Sequence, residues 1–303
     1  MASCAGAHDT VGVGAGQDAV TVEEGVTEGG VPRNRTTRGR TGQLLRRGFR
    51  WRQGVRHCCC GGAAVRTLTI SDPTLLTGKV PPPPAISGYA AFWADDLAAA
   101  VADGGKVSVW ADRSGNGRSL TQADSAKQPI FRHASSLLNH RSAVEFDGSD
   151  DFMRTATWTD VAQVISYVIV FQPRTLVTYN AVLDKATNTD GMYLGIESDK
   201  LVLWAGSLDW SQGTASAGVS YAARALFNGT SSRANVNGSG LSSGTNVGLG
   251  KSNGLSVAAN RVGGTNSAIT VAFVAMYAGD VTGHANWGAF CAWVAAVYGL
   301  TLG

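Results

Sequence analysis

Glu145, Asp147 and Asp150 are the residues whose type and spacing come nearest to catalytic chemistry. Residues two apart on a strand share a face, and two carboxylates about 5 to 5.5 Å apart can serve as nucleophile and acid–base in retaining glycoside hydrolysis. Gly148 and Ser149 interrupt the strand that would align them. The expected arrangement is a strand ending at Phe146 and then a turn, with Asp147 and Asp150 exposed or bonded locally. No catalytic residue is assigned, and the domain is read as non-enzymatic.

Oxygen-rich turns offer a second chemistry. Hard cations take several oxygen ligands, and Asp112 with Asn116, or Asp147 with Asp150, stand in such turns, so calcium is the one cofactor to consider. Neither turn has the twelve-residue spacing of an EF-hand. Sugar recognition is a third chemistry, because it pairs an aromatic plane with amide or carboxylate hydrogen bonders. Tyr193, Trp204, Asp209 and Trp210, with Asn188 nearby, supply both. Trp204 closes the alternating run of Leu201 and Leu203 and also fits a core position, whereas Trp210 lies in the polar stretch 207–213 and is the better exposed candidate.

Other chemistries find no pattern. The five histidines are scattered, and the Cys58, Cys59 and Cys60 triplet beside His57 lacks the spaced second pair of a zinc site. The start of the chain lacks the apolar core of a signal peptide, and no run reaches the roughly 18 to 20 apolar residues of a membrane span. No membrane partner is expected.

Charge divides the chain sharply. Residues 1–84 hold eleven Lys and Arg against six Asp and Glu, a net +5, while residues 85–303 hold fourteen against sixteen, a net −2. The first thirty residues are Gly-rich with little to bury, which predicts disorder in isolation. Arg33, Arg35, Arg38, Arg40, Arg46, Arg47, Arg50, Arg52 and Arg56, interleaved with Leu44, Leu45, Phe49 and Trp51, suggest a short basic amphipathic helix. Its partner would be acidic: a protein lattice, or nucleic acid held through phosphates with a steep salt dependence. Pro81 to Pro84 form a polyproline spacer of about 3.1 Å per residue, and the domain boundary is placed there, at 84/85.

Short strand-like runs separated by turns follow, the pattern of an all-β sandwich. In VSVWADRSGNG at 107–117, Val107, Val109 and Ala111 alternate with Ser108, Trp110 and Asp112 before a cluster of turn residues. Residues 164–172 are apolar on both faces and predict a central, doubly covered strand. Asn237-Gly238 matches a two-residue hairpin turn. Only 284–298 reads as a helix, with Trp287, Phe290, Cys291, Val294 and Val297 in one stripe and Gly299 as its left-handed cap.

The 107–117 run, AVEFDGSDDFM at 143–153, ARALFNGTSSRANVNGS at 223–239 and the stretch 268–300 ending in Tyr-Gly-Leu together resemble the laminin-G-like, concanavalin A-like jelly rolls of bacterial surface and bacteriophage virion proteins. The resemblance covers roughly residues 88–303. It implies a concanavalin A-like jelly-roll sandwich with one C-terminal helix, preceded by an extended low-complexity arm. Related sandwich glycanases carry an acidic triplet on one strand, where this chain has Asp in place of the second Glu. The resemblance implies a virion structural or decoration protein, displayed on the particle surface and anchored to capsid or tail by the arm, whose sandwich contacts host-surface glycans. A secreted carbohydrate-binding module and a glycan hydrolase are the other readings.

Overall fold

The computed structural model describes residues 19–22, 49–52, 66–70, 80–187, 191–206, 210–212, 214–242, 247–261 and 264–303. The chain divides into two compact units, Met1–Pro82 and Pro83–Gly303. In the first, β1 (Ala19–Val22), β2 (Phe49–Arg52) and β3 (Arg66–Ile70) form an antiparallel sheet in the order β1-β3-β2. This corrects the helix expected around Phe49 to Trp51: Phe49 pairs with Ile70 and Trp51 with Leu68. Arg50 and Arg52 lie on β2. Arg33, Arg35, Arg38, Arg40, Arg46, Arg47 and Arg56 lie outside the described residues.

In the second unit the strands are β4 (Ala90–Trp93), β5 (Val109–Trp110), β6 (Leu120–Thr121), β7 (Ile130–Ser135), β8 (Arg141–Glu145), β9 (Met153–Thr155), β10 (Ile165–Pro173) and β11 (Tyr179–Asp184). They continue as β12 (Tyr193–Glu197), β13 (Lys200–Trp204), β14 (Trp210–Gln212), β15 (Tyr221–Phe227), β16 (Arg233–Val236), β17 (Ser239–Ser242), β18 (Ser256–Val257) and β19 (Ile269–Ala278), before helix α1 (Trp287–Tyr298). The first sheet runs β17-β16-β15-β10-β19-β8-β7 with β4 also on β19, and the second runs β14-β13-β12-β11-β18-β9-β6-β5. The fold is an all-β sandwich with one C-terminal helix, as expected.

Phe92, Tyr167, Ile169, Phe171, Val271 and Val274 of the first sheet share one buried core with Trp110, Leu120, Leu194, Ile196, Leu201 and Leu203 of the second. β10 is buried along its whole length between β15 and β19, because its two apolar faces have a cover on each side. One face meets the other sheet. On the outward face of the same sheet, Phe273 of β19 packs against Phe290 and Trp293 of α1, and Trp93 donates its Nε1–H to Tyr298 at 3.0 Å.

Local rules explain several junctions. Asn237 (φ 48°) and Gly238 (φ 81°) make the tight β16–β17 turn, and Gly299 (φ 70°) ends α1 with its N–H on Ala295. The alternation expected at 107–112 is not observed. Val107 and Trp110 are both buried while Val109 is 51% exposed, since only two of these residues enter the ladder. Trp110 donates its Nε1–H to the Trp93 carbonyl at 3.1 Å, which fixes it as a packing anchor. None of the described helices is long and apolar enough to cross a membrane.

Candidate functional site

The helix occupies the outward face of the first sheet, whereas the outward face of the second carries the aromatic residues. Register explains this. Tyr193 of β12 pairs directly with Trp204 of β13, so both rings project to the same side, while neighbouring Leu194 and Leu203 point into the core. Ala181, Val202, Tyr179 and Trp204 complete a small cluster with Tyr193 on this outward face. Tyr179 stacks on Tyr193 with centroids 5.0 Å apart and planes 6° apart.

The stacking corrects the role expected of Tyr193. It is 1% exposed, lies across the space above Gly195 and donates its hydroxyl to the Asn180 carbonyl at 3.0 Å. Burial raises the pKa of both tyrosines, so both phenols stay neutral. Tyr193 is therefore the floor of the platform, and the partly exposed Tyr179 supplies its upper surface. Trp204 is neither core nor fully exposed. It is partly buried on the same face, with the Arg261 guanidinium 4.9 Å above its ring.

Trp210 stands opposite Leu203 in the ladder, but its side chain lies outside the described residues, as do Asp209 and Asn188. Tyr179 and Arg261 had no signal in the sequence, because each reaches the face only through pairings and loops distant along the chain.

A polar row continues the platform across the sheet. Asp184 of β11 pairs with Ser256 of β18, Ser256 with Arg154 of β9, and Arg154 with Thr121 of β6. Asp184 is fully buried and accepts the Arg261 backbone N–H at 2.9 Å and its Nη1 at 3.4 Å. Burial raises its pKa, and the bonds from Arg261 and Lys185 only partly oppose that. The buried Asp184 and Ser256 thus fix the frame, and the partly exposed Arg154 and Arg261 set polar groups beside the aromatic rings, a combination suited to sugar rings.

The oxygen-rich turns separate into two cases. Asp112 accepts the N–H groups of Ala91 (3.0 Å), Ser114 (2.8 Å) and Arg118 (2.9 Å) as well as the Ser114 hydroxyl (2.8 Å). Asn116 donates to the Gly88 carbonyl at 2.8 Å. These residues latch the loop to β4, and the expected cation site at Asp112 and Asn116 is corrected: both oxygens of Asp112 already serve protein donors.

Asp147 and Asp150 instead meet Asp151, each residue offering an oxygen within 4.8 Å of the others. These three carboxylates have the chemistry to hold a hard cation. Asp147 Oδ1 also accepts the N–H groups of Ser149, Asp150 and Asp151. Burial pushes Asp147 up, but those hydrogen bonds and Lys106 outweigh it and hold its carboxyl below the ordinary value.

Glu145 is separate from that turn. Its carboxylate takes the Arg132 Nε at 2.9 Å, within an open cleft of about 480 Å³ lined also by Asp103, His133 and Arg174. The strand ends at Glu145, one residue before the expected Phe146, and the turn that follows parts Glu145 from Asp147 and Asp150, which stay together.

No family model matches the sequence, and no curated protein sequence matches it. Solved structures do. The chain is similar to the Trypanosoma rangeli sialidase in complex with sialic acid, at 13% identity and a TM-score of 0.47 over 73% of this chain and 40% of that one. It is similar to domain 4 of an extracellular GH43 arabinanase from Geobacillus stearothermophilus in complex with arabinotriose, at 14% identity and 0.47 over 63% and 91%. It is also similar to the binding domain of botulinum neurotoxin serotype D, at 8% identity and 0.44 over 64% and 48%.

The chain spans about two fifths of the sialidase's length. At these identities the likeness concerns the fold alone. The non-enzymatic expectation is corrected: the solved structures to which the chain is similar include a sialidase and a domain of a GH43 arabinanase.

Proposed function

We propose that this chain is a glycan-binding surface protein of a virion, with a laminin-G-like, concanavalin A-like sandwich presented outward by a basic N-terminal arm. The observation that carries the glycan reading is the outward face of the second sheet, where Tyr179 stacked on Tyr193 and Trp204 under Arg261 lie beside fixed polar groups. Rigid rings held by neighbours offer contact area with little ordering cost, and the partly exposed Arg261 guanidinium supplies a polar contact beside them.

The arm supports the attachment half of the proposal. Its net +5 and its proline spacer suit docking on an acidic capsid or tail lattice, with the sandwich facing the host-surface glycan.

A glycan array probed with the full chain tests the glycan half. The expected outcome is retained binding to a defined group of glycans, lost in Trp204→Ala by about tenfold or more while the thermal unfolding midpoint moves by only a few degrees. Equal array profiles for the two proteins would overturn the platform.

A further inference from the structure

Among the described residues Arg154 and Arg261 bring guanidinium groups to the outward face, and the buried carboxylate of Asp184 lies near both. Arg261 uses Asp184 as its ion-pair partner. Arg154 has no carboxylate within ion-pair distance among the described residues. Its Nη2 donates to the Asn260 carbonyl at 3.0 Å and the Ser256 hydroxyl at 3.4 Å, while its Nε is buried without an acceptor. The Nε of Arg261 is likewise buried and without an acceptor.

The Arg154 guanidinium also lies over the Phe152 ring, 5.2 Å from its centroid, so neutral acceptors and a ring face hold this half-buried cation in place of an ion pair. Burial works against the Arg154 charge, and Asp184 offsets this in part from the next-but-one strand. On the same face Glu197 stands opposite Lys200 and Asp184 holds Arg261, so Arg154 is the guanidinium left without a carboxylate partner among the described residues. Arg154 Nη1 makes no hydrogen bond among the described residues and is not buried, so it remains available to an incoming acceptor. A planar guanidinium fixed through Nη2 presents its remaining donors at a set angle, which matches a carboxylate better than a hydroxyl.

We infer that the glycan taken by this face is an oligosaccharide carrying a carboxylate, from a hexuronic acid or another acidic sugar, which Arg154 reads on one unit while Trp204 and Tyr179 take the ring of another, β9 and β13 being four strands or about 19 Å apart. This inference rests on the glycan-binding reading and names its substrate class. The unpaired guanidinium argues for the acidic sugar, since a carboxylate would supply the ion-pair partner that Arg154 lacks among the described residues and a neutral sugar would not.

The test is isothermal titration calorimetry of the full chain with hexuronic acid oligosaccharides and with the same oligosaccharides after reduction of their carboxyl groups. The expected result is about tenfold tighter binding of the acidic form, a preference absent in Arg154→Gln and partly kept in Arg154→Lys. Circular dichroism melting of each variant confirms that it is folded. Equal affinity for acidic and reduced forms overturns the inference and leaves the glycan reading standing. Binding of neither form by the folded chain overturns both.

Discussion

Asp112 shows how a residue suited to metal chemistry can be consumed by folding. Burial by itself would raise its pKa, but the N–H groups of Arg118, Ser114 and Ala91 and the Ser114 hydroxyl reverse that and hold it below the ordinary 3.8. A carboxyl depressed on folding contributes stability above its unfolded pKa and loses it as pH falls through the folded value. Asp112→Asn should therefore lower stability at neutral pH by about 1–3 kcal/mol and flatten the decline below about pH 4. Urea unfolding across pH measures both; a variant with the same acid limb as the parent would contradict the assignment. The sequence marked Asp112 correctly as a turn residue, but which donors it meets depends on Ala91, 21 positions away.

At the scale of elements, what was legible was what is locally encoded. The doubly apolar run of β10, the stripe and glycine cap of α1 and the Asn237-Gly238 turn each carry their signal within about a dozen residues. β4 was not legible, because Ala90 and Ala91 have weak strand character and become strand only by pairing with Met276 and Ala275 of β19. The platform was half legible for a related reason: Tyr193 and Trp204 were visible as aromatics, but their facing pair needs the β12–β13 register and their cover comes from Tyr179 and Arg261.

Two predictions belong to these elements. Phe290→Ala removes the ring that α1 sets against Phe273 and should cost about 3–5 kcal/mol in a urea titration, whereas a loss under 1 kcal/mol would mean that α1 is not docked there. In Gly195→Ala the added methyl would overlap the Tyr193 phenol. The stacked pair must then shift, so glycan binding should weaken several-fold with the sheet still folded by circular dichroism.

The whole molecule joins a basic N-terminal region, whose described residues form the β1-β3-β2 sheet, to a sandwich with its own core and a net charge of −2 over residues 85–303. The division of labour follows from composition: the arm carries the positive charge and the sandwich carries the aromatic face. Removal of residues 1–80 is expected to leave a folded sandwich with an unchanged glycan profile that no longer incorporates into particles. Particle sedimentation followed by immunoblotting reads incorporation, and undiminished recovery of the truncated chain with particles would rule out the arm as the anchor.

The proposed glycan site is the outward face of the second sheet, where Trp204 of β13 lies. The most direct measurement is quenching or enhancement of tryptophan fluorescence in the full chain by the glycans that it retains on an array, compared with Trp204→Ala. A saturable change is expected in the parent and not in the variant, with affinity reduced about tenfold or more in parallel. A variant that binds those glycans as tightly as the parent would contradict it.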